Sequence, residues 1–263
     1  MKNILKILLL MSCMIHMWTV SVFAQQNQDT LTQLSTIDAL MNGLYEGFMP
    51  VSEALKYGNA GIGTFEGLDG EMIALDGKIY QVPIDGVPKV AEPNQLIPFM
   101  AMTYFESDQE QPIRAGTEMK VFMEDAIAKL PTKNTFYAVR IEGTFQKVKT
   151  RSVPKQTPPY PPLTEVVKRQ AVFELEHVEG TMIGFWCPVY VKGINVPGFH
   201  LHFLTKDGKA GGHVLDFTAK NAIAKFDITN SFFLVLPESR AFNQMDFTAD
   251  HSADTHNVMK GKK

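Results

Sequence analysis

Residues 197–213 read PGFHLHFLTKDGKAGGH, and this stretch decides what the C-terminal half of the chain can be. His200, Leu201, His202 and Phe203 alternate polar and apolar, the period of a half-buried strand that sends residues i and i+2 to one face. Asp207-Gly208 then supplies turn chemistry, and strand character resumes at Gly212-His213-Val214-Leu215, so the stretch is expected to form a hairpin. Such a hairpin projects His200 and His202 side by side and can bring His213 back to them. Three neutral imidazoles with an open fourth position suit a catalytic zinc or a related divalent ion. His-x-His is a common pairing and no HExxH motif is present, so the spacing equally allows two unrelated surface histidines and one in a loop.

From residue 171 onward the chain reads as strand after strand, at 172–178, 181–186, 199–204, 213–217, 222–228 and 232–236. Upstream, 135–142 and 144–150 read as a strand pair pivoting at Gly143. The proline-rich stretch 153–162 cannot be a central strand, and 163–170 reads as a short helix. At 117–130 the period is helical, with Met119, Phe122, Met123, Ala126 and Leu130 on one face and Pro131 as the stop. Short strands are expected at 63–65, 71–75, 78–82 and 99–105, with Asp69-Gly70 and Asp76-Gly77 as hairpin turns. Ser35-Thr36 opens a helix carrying Ile37, Leu40, Met41, Leu44 and Tyr45 on one face, and a second short helix covers 52–57. Helices that cluster early among dominant hairpins give an α+β class built on mixed, largely antiparallel sheet. Residues 150–170 are a possible division between two subdomains, and the tail at 240–263 is polar without a clear pattern.

Residues 1–24 have the form of a secretory leader: Lys2 and Lys6, an apolar run, and Val22-Phe23-Ala24 as the cleavage site. Cleavage leaves a polar segment at 25–34 ahead of the folded part at 35–239, and an exported protein, periplasmic or secreted. The leader removes two of the 25 basic residues and none of the 28 acidic ones. The mature chain is therefore acidic and has no basic stripe, which argues against nucleic acid as a partner. Only Cys187 remains, beside aromatics in GFWCP, so no intrachain disulfide can form and a buried structural thiol is expected.

Five stretches taken in order, GTFEGLDGEMIALDGKIYQV (63–82), KNTFYAVRIEGTF (133–145), TRSVPKQTPPYPPLTEV (150–166), VEGTMIGFW (178–186) and VPGFHLHFLTKDGKAGGHVLDF (196–217), resemble alpha-acetolactate decarboxylases. The resemblance runs from Ser35 to Ser239. It implies decarboxylation of 2-acetolactate to acetoin and CO₂ through a metal-stabilised enediolate, in acetoin and butanediol biosynthesis. It also implies a two-subdomain fold with the metal in the cleft, and a homodimer. Residue by residue, His200, His202 and His213 match the family's metal-binding histidines, Glu71 its active-site glutamate and Arg151 its active-site arginine. One departure stands out. The family places a glutamate near the C-terminus that folds back to the site, and ADHSADTHNVMKGKK, residues 249–263, contains none; Asp250, Asp254 and His256 are the substitutes available, unless the tail merely covers the site.

Without the resemblance, Arg151 among Lys147, Lys149 and Lys155 reads as part of a solvated strand face, and Glu71 after Asp-Gly as a hairpin-flanking surface residue. His177, His251 and His256 read as exposed or structural, and Tyr160 between prolines as a packing residue. Two other functions fit a three-histidine site: a secreted zinc hydrolase, or a metal-binding domain without catalysis.

Overall fold

The computed structural model describes residues 29–261, so the expected leader lies outside the described residues. The strands are β1 (Thr30–Leu34), β2 (Met49–Pro50), β3 (Ala60–Thr64), β4 (Glu71–Leu75), β5 (Lys78–Val82), β6 (Lys89–Val90), β7 (Leu96–Ile97), β8 (Phe99–Thr103), β9 (Gln109–Ile113), β10 (Phe136–Ser152), β11 (Ala171–Cys187), β12 (Gly198–Thr205), β13 (Gly211–Thr229) and β14 (Ser231–Val235). Seven form one sheet in the order β14-β1-β8-β3-β4-β5-β6, and five form a second in the order β10-β11-β12-β13-β9. Among the described residues only β1 and β14 pair in parallel, and the other strand pairings are antiparallel. The α+β class with mixed, largely antiparallel sheets is the observed one.

In the second sheet β10 pairs with β11 on one edge and β13 on the other, while β12 joins β11 to the start of β13. The four strands therefore close into a ring. Its interior holds Phe145, Phe203 and Phe217, in edge contact, with Tyr137, Leu201 and Val214. A second apolar layer joins the sheets: Ile62, Ile73 and Ala101 of the first meet Phe185, Ile183 and Leu204 of the second. Alternation decides which residue goes where. On β12, Leu201 and Phe203 enter the ring, whereas Leu204 packs in the layer between the sheets, so His200 and His202 share that outward face.

Three expectations are corrected. The polar segment expected at 25–34 contains β1, a buried strand between β14 and β8, so the folded part begins before residue 35. The expected strand pair at Gly143 is one continuous 17-residue strand, β10. Gly143, at φ +149°, is where that strand passes close to its neighbour, because a Cβ there would lie 2.2 Å from the Asn221 carbonyl oxygen. The stretch at 150–170 links β10 to β11, which are hydrogen-bonded neighbours, so it divides nothing. The chain changes sheets between β8 and β9, and β14 returns to the first sheet.

The helices expected from the sequence form, shorter than expected, and the tail that showed no clear pattern adds two more. Helix α1 (Ile37–Met41) is capped by the Thr36 side chain, which accepts from Ala39 N–H. Helix α2 (Val51–Ala54) covers the outer face of the first sheet, and α3 (Met119–Lys129) buries Phe122 and Ala126. Helix α4 (Leu163–Val166) is followed in the tail by α5 (Arg240–Gln244) and α6 (Ser252–Met259). Among the described residues no helix is long and apolar enough to cross a membrane.

Candidate active site

Each candidate residue arrives from a different place in the fold. Glu71 opens β4 on the face turned toward the second sheet, directly after the Asp69-Gly70 turn. His200 and His202 come from β12, facing the first sheet. His213 pairs with His202 on one side and with Arg151 of β10 on the other, which lines up Arg151, His213 and His202 across three strands. All five are buried, so the solvated readings of Glu71 and Arg151 do not hold.

The three imidazole centroids lie 4.9–5.4 Å apart, and one ligand nitrogen from each falls within 4.8 Å of the others. Their tautomers follow from their partners. A carbonyl can only accept, so His202 Nδ1, 2.8 Å from Met72 O, carries the proton. That leaves a lone pair on His202 Nε2, which is buried and has no hydrogen-bond partner, with Glu71 Oε2 3.5 Å away. His213 Nε2 donates to Met259 O at 2.9 Å, which leaves its lone pair on Nδ1, 3.1 Å from His200 Nε2. Ring nitrogens held by backbone carbonyls in this way are the usual support of metal-ligating histidines. Burial pushes all three well below the ordinary imidazole range, His202 to about 3, so they are neutral at physiological pH. Converging neutral donors, one of them an orphaned buried nitrogen, fit a divalent transition metal.

Burial also raises Glu71, to about 7, against the opposing pull of Arg151. The buried Arg151 guanidinium bonds Gln170 Oε1 through Nη1 at 3.4 Å, and its Nε has no partner. These groups face a cavity of about 40 Å³ whose other wall is apolar: Ile37, Leu40, Phe99, Leu163 and the tail residue Met259. The polar corner and the apolar wall match the charged and alkyl ends of a small acid in chemistry, although the enclosed volume is smaller than such an acid.

The alpha-acetolactate decarboxylase family model matches residues 31–249. The chain belongs to that family. The decarboxylase is 45% identical to an alpha-acetolactate decarboxylase of Methanosarcina mazei over 232 residues, 88% of this chain and 81% of the relative. Its fold is similar to the crystal structure of the Bacillus subtilis strain 168 enzyme, with TM-score 0.86 and 36% identity over 89% of this chain and 100% of that one. A Staphylococcus aureus structure, described as a protein of unknown function similar to alpha-acetolactate decarboxylase, gives TM-score 0.81 at 30% identity, covering 88% and 97%. The reaction class is therefore that of a carboxy-lyase acting on 2-acetolactate, and it places the chain in acetoin biosynthesis.

Other candidates do not join this cluster. Asp250 and Asp254 are exposed, and His256, also exposed, lines the groove beside α6 and not the histidine cavity. Tyr160 packs edge-on against Tyr45, 5.3 Å between centroids, and Cys187 is buried with its thiol pKa pushed up by burial. Sequence reasoning missed Gln170 and the carbonyls of Met72 and Met259. A backbone carbonyl carries no side-chain signature, and Gln170 sits in an unremarkable helix end.

Proposed function

We propose that this decarboxylase holds one divalent ion, zinc first among the candidates, on His200, His202 and His213, with Glu71 and Arg151 acting on 2-acetolactate beside it. The observation carrying this reading is the meeting of three neutral imidazoles, one with a buried partnerless nitrogen, two of which line a cavity together with Glu71 and Arg151. A divalent ion there supplies Lewis acidity for the charge that loss of CO₂ leaves on the ketone oxygen. Arg151 is a fixed cation with an unsatisfied donor, suited to the substrate carboxylate or to a developing oxyanion. Glu71, raised to about 7, holds a proton near neutral pH and can deliver it to the carbon that CO₂ leaves. The C–C bond electrons pass to the ketone, the proton closes the new C–H bond, and acetoin is released. Solvent then reprotonates the carboxylate. The apolar wall shields the charged intermediate from water. A homodimer belongs to the same reading, by family resemblance alone.

The test is metal analysis of purified protein together with an acetoin assay on racemic acetolactate. About one divalent ion per chain is expected. His202→Ala leaves two imidazoles, a poor site, and should lose both metal and turnover. Full occupancy in that variant would show that the ligand set is wrong.

A further inference from the structure

The matched family region ends at residue 249, yet the chain continues into α6 and back to the site. Val258 is buried in the cluster formed by Ile37, Leu40, Leu163 and Val196, and Met259 packs beside it. Gly261 then ends the helix in the left-handed region, at φ +62°, with its N–H on Val258 O at 3.1 Å. This termination aims two carbonyls at the site. Met259 O accepts from His213 Nε2 at 2.9 Å. Gly261 O accepts from Gln170 Nε2 at 3.2 Å, and Gln170 Oε1 in turn accepts from Arg151. The Met259 side chain also stands between two spaces, the cavity of about 40 Å³ at the histidines and a groove of about 980 Å³ between α3 and α6. The inner space has room for only a few waters and is too small for a five-carbon keto acid.

We propose that the C-terminal turn from Met259 to Gly261 is a latch on the active site: Met259 is a positioning residue whose carbonyl selects the ring nitrogen His213 offers, while its side chain closes the cavity against the groove. The turn holds Arg151 through Gln170, so one docking event orders two strands' worth of site residues. Admission of substrate from the groove requires the latch to lift, and its return shuts out water. This rests on the metal reading above.

The closing experiment uses the full-length protein freed of metal with a chelator. Its imidazole ¹⁵N–¹H spectrum should show His213 protonated on Nε2 and His202 on Nδ1. In full-length Val258→Asp, an acid forced into the apolar cluster undocks α6. His213 should then lose its single tautomer while His202, held by Met72, keeps its own as an internal control. Zinc affinity measured by chelator competition should fall about 10- to 100-fold, as for loss of a ligand's supporting partner. Met259→Ala keeps the carbonyl and should leave zinc affinity within about threefold of the parent on the same scale. His213 protonated on Nδ1 in the parent overturns the latch, as does a Val258→Asp protein with unchanged zinc affinity. If Val258→Asp does not fold, the parent spectrum decides alone. A parent that binds no zinc but shows the expected tautomers would sink the metal reading and leave the positioning contact standing.

Discussion

Glu71 and Arg151 are oppositely charged groups buried together, and each sets the state of the other. Burial alone raises the carboxyl; the guanidinium pulls it back. Replacing Glu71 by Gln keeps the shape and removes the proton, so turnover should fall by roughly 10²–10⁴, as for a lost general acid or base, with metal content unchanged. Near-normal rates in metal-loaded Glu71→Gln would reduce Glu71 to a structural role. Arg151→Lys retains a charge and loses the planar fork, including the Nη1 bond to Gln170. It should fold, and lose activity by about tenfold or more, since a compact ammonium does not reproduce guanidinium geometry. Steady-state kinetics beside a thermal melt separates that outcome from simple destabilisation. At this scale the three histidines were legible because their spacing is a strand period plus a hairpin. Glu71 and Arg151 were not, because an acid after Asp-Gly and an arginine among lysines look solvated until the sheets are stacked; only the family resemblance singled them out.

Strands β10, β11 and β13 run 17, 17 and 19 residues, and local reading broke each of them. The breaks fell at Gly143, at Glu179-Gly180, and between 217 and 222. A glycine flanked by apolar alternation signals a turn or a close approach with equal force, and a single chain cannot distinguish them. The neighbouring strand can: Asn221 O occupies the space where a side chain on Gly143 would go. Gly143→Ala should therefore destabilise the ring by about 1–3 kcal/mol, the usual cost of a strained backbone position, visible as a lower urea midpoint. Zinc content should not change, since Gly143 lies far along β10 from Arg151. A variant as stable as the parent would return Gly143 to the status of an ordinary strand residue. True two-residue turns were legible: Asp76-Gly77 has φ of +51° and +75°, the pattern of a tight hairpin.

Two sheets meet in this molecule, and the chain crosses between them just after β8, where Glu106 N–H donates to Asp227 Oδ2 at 3.2 Å. That crossing was invisible in sequence because no composition shift marks it, whereas the proline-rich stretch that looked like a boundary is a loop within one sheet. Asp227 is 1% exposed, and burial, with smaller contributions from Asp108, Asp29 and Glu106, raises its carboxyl to about 7; the Glu106 N–H opposes them. An acid whose folded pKa lies above its unfolded value binds its proton more tightly when folded. The unfolded chain gives up that proton near pH 4 and the folded one near pH 7, so stability contributed by protonated Asp227 is present at low pH and lost as pH rises through that window. Asn cannot ionise and still offers Glu106 an acceptor. Asp227→Asn should thus gain about 1–3 kcal/mol over the parent at pH 8 and little at pH 4. Taking the difference between variant and parent cancels the other groups that titrate in the same range, Glu71 among them. Melts of both proteins across this pH range check it, with about 2–4 °C expected per kcal/mol for a chain of this size. A gap that stays constant with pH would mean that Asp227 titrates in the folded protein as it does in the unfolded chain, and that the crossing between the sheets tolerates a buried negative charge.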